Sequence, residues 1–192
     1  MAITISGDSP NLTSASLTTP TLTSPTFAGT PSGSIITSGT AVASTSGTSI
    51  DFTGIPSWVK RITVMYQGVS TNGTGDLWLR LGTSGGFTTS GYVGYLARQA
   101  ASSNSYTAWS SSAVLASSFL AAATFSGVIT IQLINSATNT WVISGQIVDS
   151  STTGNFMNMA GYVPLSEALT QVRLTSSTPD TFDAGTINIL YE

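Results

Sequence analysis

Ile129, Ile131 and Leu133 alternate with Thr130 and Gln132. A period of two puts the aliphatic side chains on one face of an extended segment and the polar ones on the other, the mark of a strand with one buried face. Ile187 and Ile189 flank Asn188 in the same way, as Val172 and Leu174 flank Arg173. From Ile36 onward the apolar runs are short and separated by turn residues. Strands are expected over residues 49–52, 59–69, 77–81, 91–97, 106–110, 127–134, 140–148, 169–175 and 186–191. Asn72-Gly73 is expected to supply the left-handed conformations of a tight hairpin, and Ser84-Gly85-Gly86, Asp149-Ser150-Ser151 and Asp180 to mark other reversals. Many short strands at this spacing predict an all-β fold, a jelly-roll-like antiparallel β-sandwich. Residues 112–124 break the pattern: Ala113, Ala116, Ala121, Ala122 and Ala123 surround Val114, Leu115, Phe119 and Leu120, compatible with a short helix or with strand and loop.

Charge is scarce. Charged residues make up 7% of the 192, against roughly 25% in ordinary soluble proteins, while hydrophobic residues make up 41%. The polar surface must therefore come from Ser, Thr, Asn, Gln and Gly, which suit strands and turns better than a helical bundle. Five basic residues (Lys60, Arg61, Arg80, Arg98 and Arg173) face eight acidic ones for a net charge of −3, so the chain has no electrostatic basis for binding nucleic acid. Without cysteine there is neither a disulfide nor a thiolate metal ligand. No apolar stretch approaches the roughly 20 residues of a membrane span, and Met1-Ala2-Ile3-Thr4-Ile5 lacks the basic start of a secretion signal. A soluble, unprocessed chain without membrane insertion is expected. Weak charge also leaves little repulsion between copies, which suits a subunit held in an assembly.

The segment before the sandwich reads differently. Ser, Thr, Pro and Gly dominate residues 7–39, too poor in large apolar side chains to build a core. Leu12, Leu17, Leu22 and Phe27 nevertheless recur every five positions, and Pro20 and Pro25 keep the same step. Five matches neither the helical period nor the strand period, and each Pro removes a ladder donor and holds the chain extended. A pentapeptide-repeat coil would need more stacked units than these four steps supply. The organisation expected is an extended Ser/Thr/Pro-rich attachment arm over residues 1–35, with Leu12, Leu17, Leu22 and Phe27 as its partner-binding side chains, followed by a β-sandwich domain over 36–192. A plain Ser/Thr/Pro linker is the alternative.

The usual catalytic constellations lack their parts. With no His and no Cys, the common triads and zinc sites are excluded. Asp76, Asp149, Glu167, Asp180 and Asp183 are few and far apart in sequence for a glycosidase pair, and turn-capping is the ordinary role of such Asp residues. No Asp-x-Asp-x-Asp-Gly calcium loop occurs, and Thr83-Ser84-Gly85-Gly86 lacks the Lys of a phosphate loop. No enzyme activity, catalytic residue, metal or cofactor is expected. Trp78 and Trp109 are candidate carbohydrate platforms, because exposed aromatic faces stack on sugar rings; burial in a core or subunit interface is the more ordinary state of a Trp.

The stretch Ser49-Ile50-Asp51-Phe52-Thr53-Gly54-Ile55-Pro56-Ser57-Trp58-Val59-Lys60-Arg61-Ile62-Thr63-Val64 resembles a domain of tailed-bacteriophage virion structural proteins, found in fibre-like and head-decoration chains. The likeness continues in Gly68-Val69-Ser70-Thr71-Asn72-Gly73, in Gly91-Tyr92 and in the terminal 182–191, so it touches most of the domain. Physically the string reads as a strand end, a Gly/Pro corner and a second strand, with Ile55 and Trp58 plugging one end of the sandwich and Lys60 and Arg61 at its rim. The resemblance implies a virion-surface subunit assembled in the host cytoplasm, a homotrimer anchored by its amino-terminal arm to the major capsid protein or other virion proteins. An arm plus one domain suits a head decoration, cement protein or short head fibre. A tail or baseplate fibre component whose sandwich binds a host-surface glycan is the alternative.

Overall fold

The computed structural model describes residues 36–150 and 154–192. The chain divides into two units after Ser34. The expected arm, with Leu12, Leu17, Leu22 and Phe27, lies outside the described residues.

Fourteen strands and no helix occur among the described residues: β1 (Thr37–Ser38), β2 (Val42–Ala43), β3 (Ser49–Thr53), β4 (Arg61–Thr71), β5 (Leu77–Thr83), β6 (Gly86–Phe87), β7 (Val93–Gln99), β8 (Asn104–Ala108), β9 (Ala113–Ala116), β10 (Phe125–Asn135), β11 (Thr140–Asp149), β12 (Asn155–Pro164), β13 (Gln171–Ser176) and β14 (Phe182–Tyr191). No helix among these residues is long and apolar enough to cross a membrane.

The strands form two antiparallel sheets packed as a sandwich. The larger has nine strands in the order β1-β14-β4-β10-β11-β12-β7-β8, with β2 also on β14; the smaller has five, β3-β13-β5-β6, with β9 also on β5. The pairings nest: β4 with β14, β5 with β13, β7 with β12, and β10 with β11. The first half of the chain thus folds back antiparallel on the second, which is the wrapping of a jelly roll. The division between layers is uneven, because β4 also pairs with β10 and β11 with β12. Only the β5–β13 pair and its flanking strands are left to form the second layer.

The alternating apolar positions meet between the layers. Ile62, Val64, Ile129, Ile131, Ile143 and Ile147 from the large sheet and Leu77, Leu79, Leu81, Val172 and Leu174 from the small one are at most 1% exposed. They belong to one continuous core, whose apolar burial is the main stabilising term.

Three local expectations are corrected and one left open is settled. Asn72-Gly73 does not form a hairpin: β4 and β5 belong to different sheets, and the loop between them is tied down instead by Asp180, which accepts from the Gly75 N–H at 2.8 Å. The stretch 112–124, open between helix and strand or loop, contains β9 and no helix; all four residues Ala113–Ala116 are buried and β9 pairs with β5. Strand β12 was not expected at all. Its Met, Ala, Gly and Asn residues are weak strand formers, and its outward Phe156 and Tyr162 blur the alternation with the buried Met157, Met159 and Val163. Lastly, Ile55 (4% exposed) closes the sandwich end together with Val59 (2%), while Trp58 is 53% exposed. The turn closed by the Val59 N–H on the Pro56 carbonyl points Val59 inward and leaves Trp58 outside, beside Tyr191 with ring centroids 6.0 Å apart.

Candidate functional site

The two outward sheet faces carry opposite chemistry. On the small sheet, Arg173 makes a bidentate contact with Asp51 (2.7 and 2.6 Å) and lies 4.0 Å from the Phe87 ring centroid. Arg80 sits 5.1 Å over the Trp78 ring and donates to the Ser112 hydroxyl at 2.9 Å. Trp78 is therefore half-buried and already faced by a guanidinium. Trp109 is 5% exposed and part of the core, so its faces are closed to a sugar. Trp78 alternates with the buried Leu77 and Leu79 and so lies on the outward face of β5. No local pattern in Tyr106-Thr107-Ala108-Trp109 revealed that the chain turns inward after Ala108.

Across β7, β8, β10, β11 and β12 the large sheet presents an uncharged surface instead. Because Leu96, Ile129, Ile147 and Met157 point into the core, their neighbours along β7, β10, β11 and β12 point out. Tyr95 stands between Ala108 and Ala160 in the cross-strand register, and Tyr106 stands opposite Ala97. Each of these two rings therefore borders a small residue, and the sheet surface forms a shallow, open depression. The result is a trough of about 890 Å3. Tyr95 (62% exposed), Tyr106 (74%) and Phe156 (39%) supply rings, and Val128 and Val148 supply aliphatic walls. Gln146 and Asn158 are direct register partners on the floor, with Thr130 and Ser144 nearby. No charged residue lines this trough. Neither amide side chain has a hydrogen-bond partner among the described residues.

A second hollow, of about 530 Å3, lies at one end of the sandwich and is lined by Arg98, Phe119, Leu120, Asp149 and Asn155. Asp149, expected at a reversal, is the last residue of β11, where the chain turns back into antiparallel β12; it is 1% exposed and accepts from the Asn155 amide at 2.9 Å. Among the described residues no group of three or more His, Cys, Asp or Glu could hold a metal ion. Two further carboxylates make contacts within the fold: Glu167 accepts from the Ser84 hydroxyl at 2.7 Å, and Asp180 from the Gly75 N–H and the Ser176 hydroxyl.

These features define an antiparallel β-sandwich protein with an aromatic-walled, uncharged trough on its larger sheet. The chain matches no family model, no curated protein and no solved structure.

Proposed function

We propose that the chain is a non-enzymatic structural subunit of a phage virion, a trimeric head decoration, cement or short head-fibre protein anchored to the capsid through residues 1–35. The observation that carries this reading is the string from Ser49 to Val64, which resembles phage virion domains and spans β3, the Gly54–Pro56 corner and the start of β4. A second observation supports the division of labour. The chain divides into two units after Ser34, and the described residues of the second carry one continuous core.

Attachment in this reading works by burial and avidity. Three linked arms, each laying sparse Leu and Phe side chains onto a partner, raise one another's effective concentration without any single strong contact. Residues 1–35 contain no Lys or Arg, so ion pairs to a partner's carboxylates cannot hold them.

The test deletes residues 1–34 and follows folding, sedimentation mass and incorporation into particles. The reading expects a folded sandwich that fails to join the particle, and full-length protein that is not released by a modest rise in salt. Normal incorporation of the shortened chain, or steep salt-driven release, overturns it.

A further inference from the structure

We infer that the trough on the larger sheet is a binding site for a neutral oligosaccharide, a role distinct from attachment by the arm and independent of it. The chemistry of the walls and floor narrows the occupant. An anion would find no basic side chain there and a cation no carboxylate, since every lining residue is uncharged. A purely apolar partner would bury the Gln146 and Asn158 amides without hydrogen bonds, and each unsatisfied group costs about 1–3 kcal/mol.

A neutral sugar satisfies all of these conditions at once. Its C–H faces are apolar and match the exposed rings of Tyr95, Tyr106 and Phe156, while its hydroxyls donate to and accept from paired amides. The trough runs across β8, β7, β12, β11 and β10, four inter-strand steps of about 4.8 Å, so several linked sugar units fit along it. The site also accounts for Phe156, an exposed ring next to the buried Met157 on β12.

The experiment screens the full-length chain against a panel of neutral hexasaccharides built from glucose, galactose, mannose or N-acetylglucosamine, with sialylated glycans as a charged arm, and titrates the best neutral probe by calorimetry. Tyr106→Ala, Gln146→Ala and Trp78→Ala are measured beside the wild type, with melting curves to show that each is folded. Binding of a neutral probe that weakens about tenfold or more in Tyr106→Ala and Gln146→Ala, and stays unchanged in Trp78→Ala, supports the site. No binding at millimolar sugar, preference for the sialylated probes, or loss only in Trp78→Ala overturns it. Sedimentation separates the remaining case: a wild-type oligomer that Tyr106→Ala converts to monomer makes the face a subunit interface and sinks the proposal.

Discussion

The indole of Trp109 lies so close to Gly161 that a Cβ at Gly161 would stand 2.5 Å from its Cε3 atom. A Cβ at Gly94, the register partner of Gly161, would meet the same atom at 2.6 Å, and the Trp109 backbone N–H donates to the Gly94 carbonyl at 2.9 Å. Glycine weakens a strand because it offers no side chain to pack, and here one ring covers both gaps on the core side of the sheet. Gly161→Ala is expected to destabilise the fold by about 1–3 kcal/mol through overpacking. Trp109→Ala should cost about 3–5 kcal/mol through the cavity it leaves. Denaturant midpoints at constant slope check both.

Tyr92 is nearly buried and its hydroxyl oxygen accepts the Leu81 N–H at 2.8 Å. Burial pushes its pKa from 10.0 up to about 12, against the opposing pull of the Leu81 hydrogen bond and the Arg80 charge. Burial raises the Tyr66 hydroxyl in the same direction. The unfolded chain thus releases these protons first, so stability present below pH 10 is lost as pH rises from 10 toward 12. Tyr92→Phe should flatten that alkaline loss and, by orphaning a buried N–H, cost about 1–3 kcal/mol at neutral pH. Unfolding curves from pH 8 to 12 test both signs.

Two carboxylates near the β4–β5 loop should respond oppositely to acid. Partial burial raises the Asp180 carboxyl, but hydrogen bonds from Gly75, Thr178 and Ser176 outweigh it and hold the group below its ordinary 3.8. Its contribution is present above that value and lost as pH falls through the lowered one. At Asp76 burial dominates over a hydrogen bond from Ser118 and raises the pKa above 3.8, so this carboxylate opposes folding at neutral pH. Asp180→Asn should weaken the fold at pH 7 and remove part of the acid sensitivity below pH 4. Asp76→Asn should strengthen it at pH 7. A pH 3–7 series of melting temperatures that moved both variants in one direction would contradict the assignment.

Arg173 joins β13 to Asp51 on β3 while stacking on Phe87, with the paired side chains each 31% exposed. Lysine can replace the charge but not the planar two-pronged contact or the stacking. Arg173→Lys is expected to cost about 0.5–1.5 kcal/mol, and a double-mutant cycle with Asp51→Asn should return a coupling of about 0.2–1 kcal/mol.

Much of the sandwich was legible along the chain. The alternations around Ile131, Val172 and Ile189 each mark a strand with one buried face, and those strands are β10, β13 and β14. Strand β12 was hidden because Phe156, which lines the trough, and Tyr162 occupy outward positions that periodicity assigns to polar residues. The burial of Trp109 was hidden for a related reason. A Trp carries no local signal of burial, and only the glycine pair brought alongside it by β7 and β12 makes a seat for Trp109.

The sequence by itself determined that this chain is all-β, with short strands, a nearly uncharged surface and no thiol or imidazole chemistry, because period and composition act residue by residue. Only the tertiary structure decided which uncharged residues share a surface. Tyr95, Tyr106, Gln146 and Asn158 come from four strands that the nested pairing sets side by side, and the register places each ring next to an alanine. Cross-strand register depends on contacts between segments distant in sequence, so no local pattern in the chain carries it.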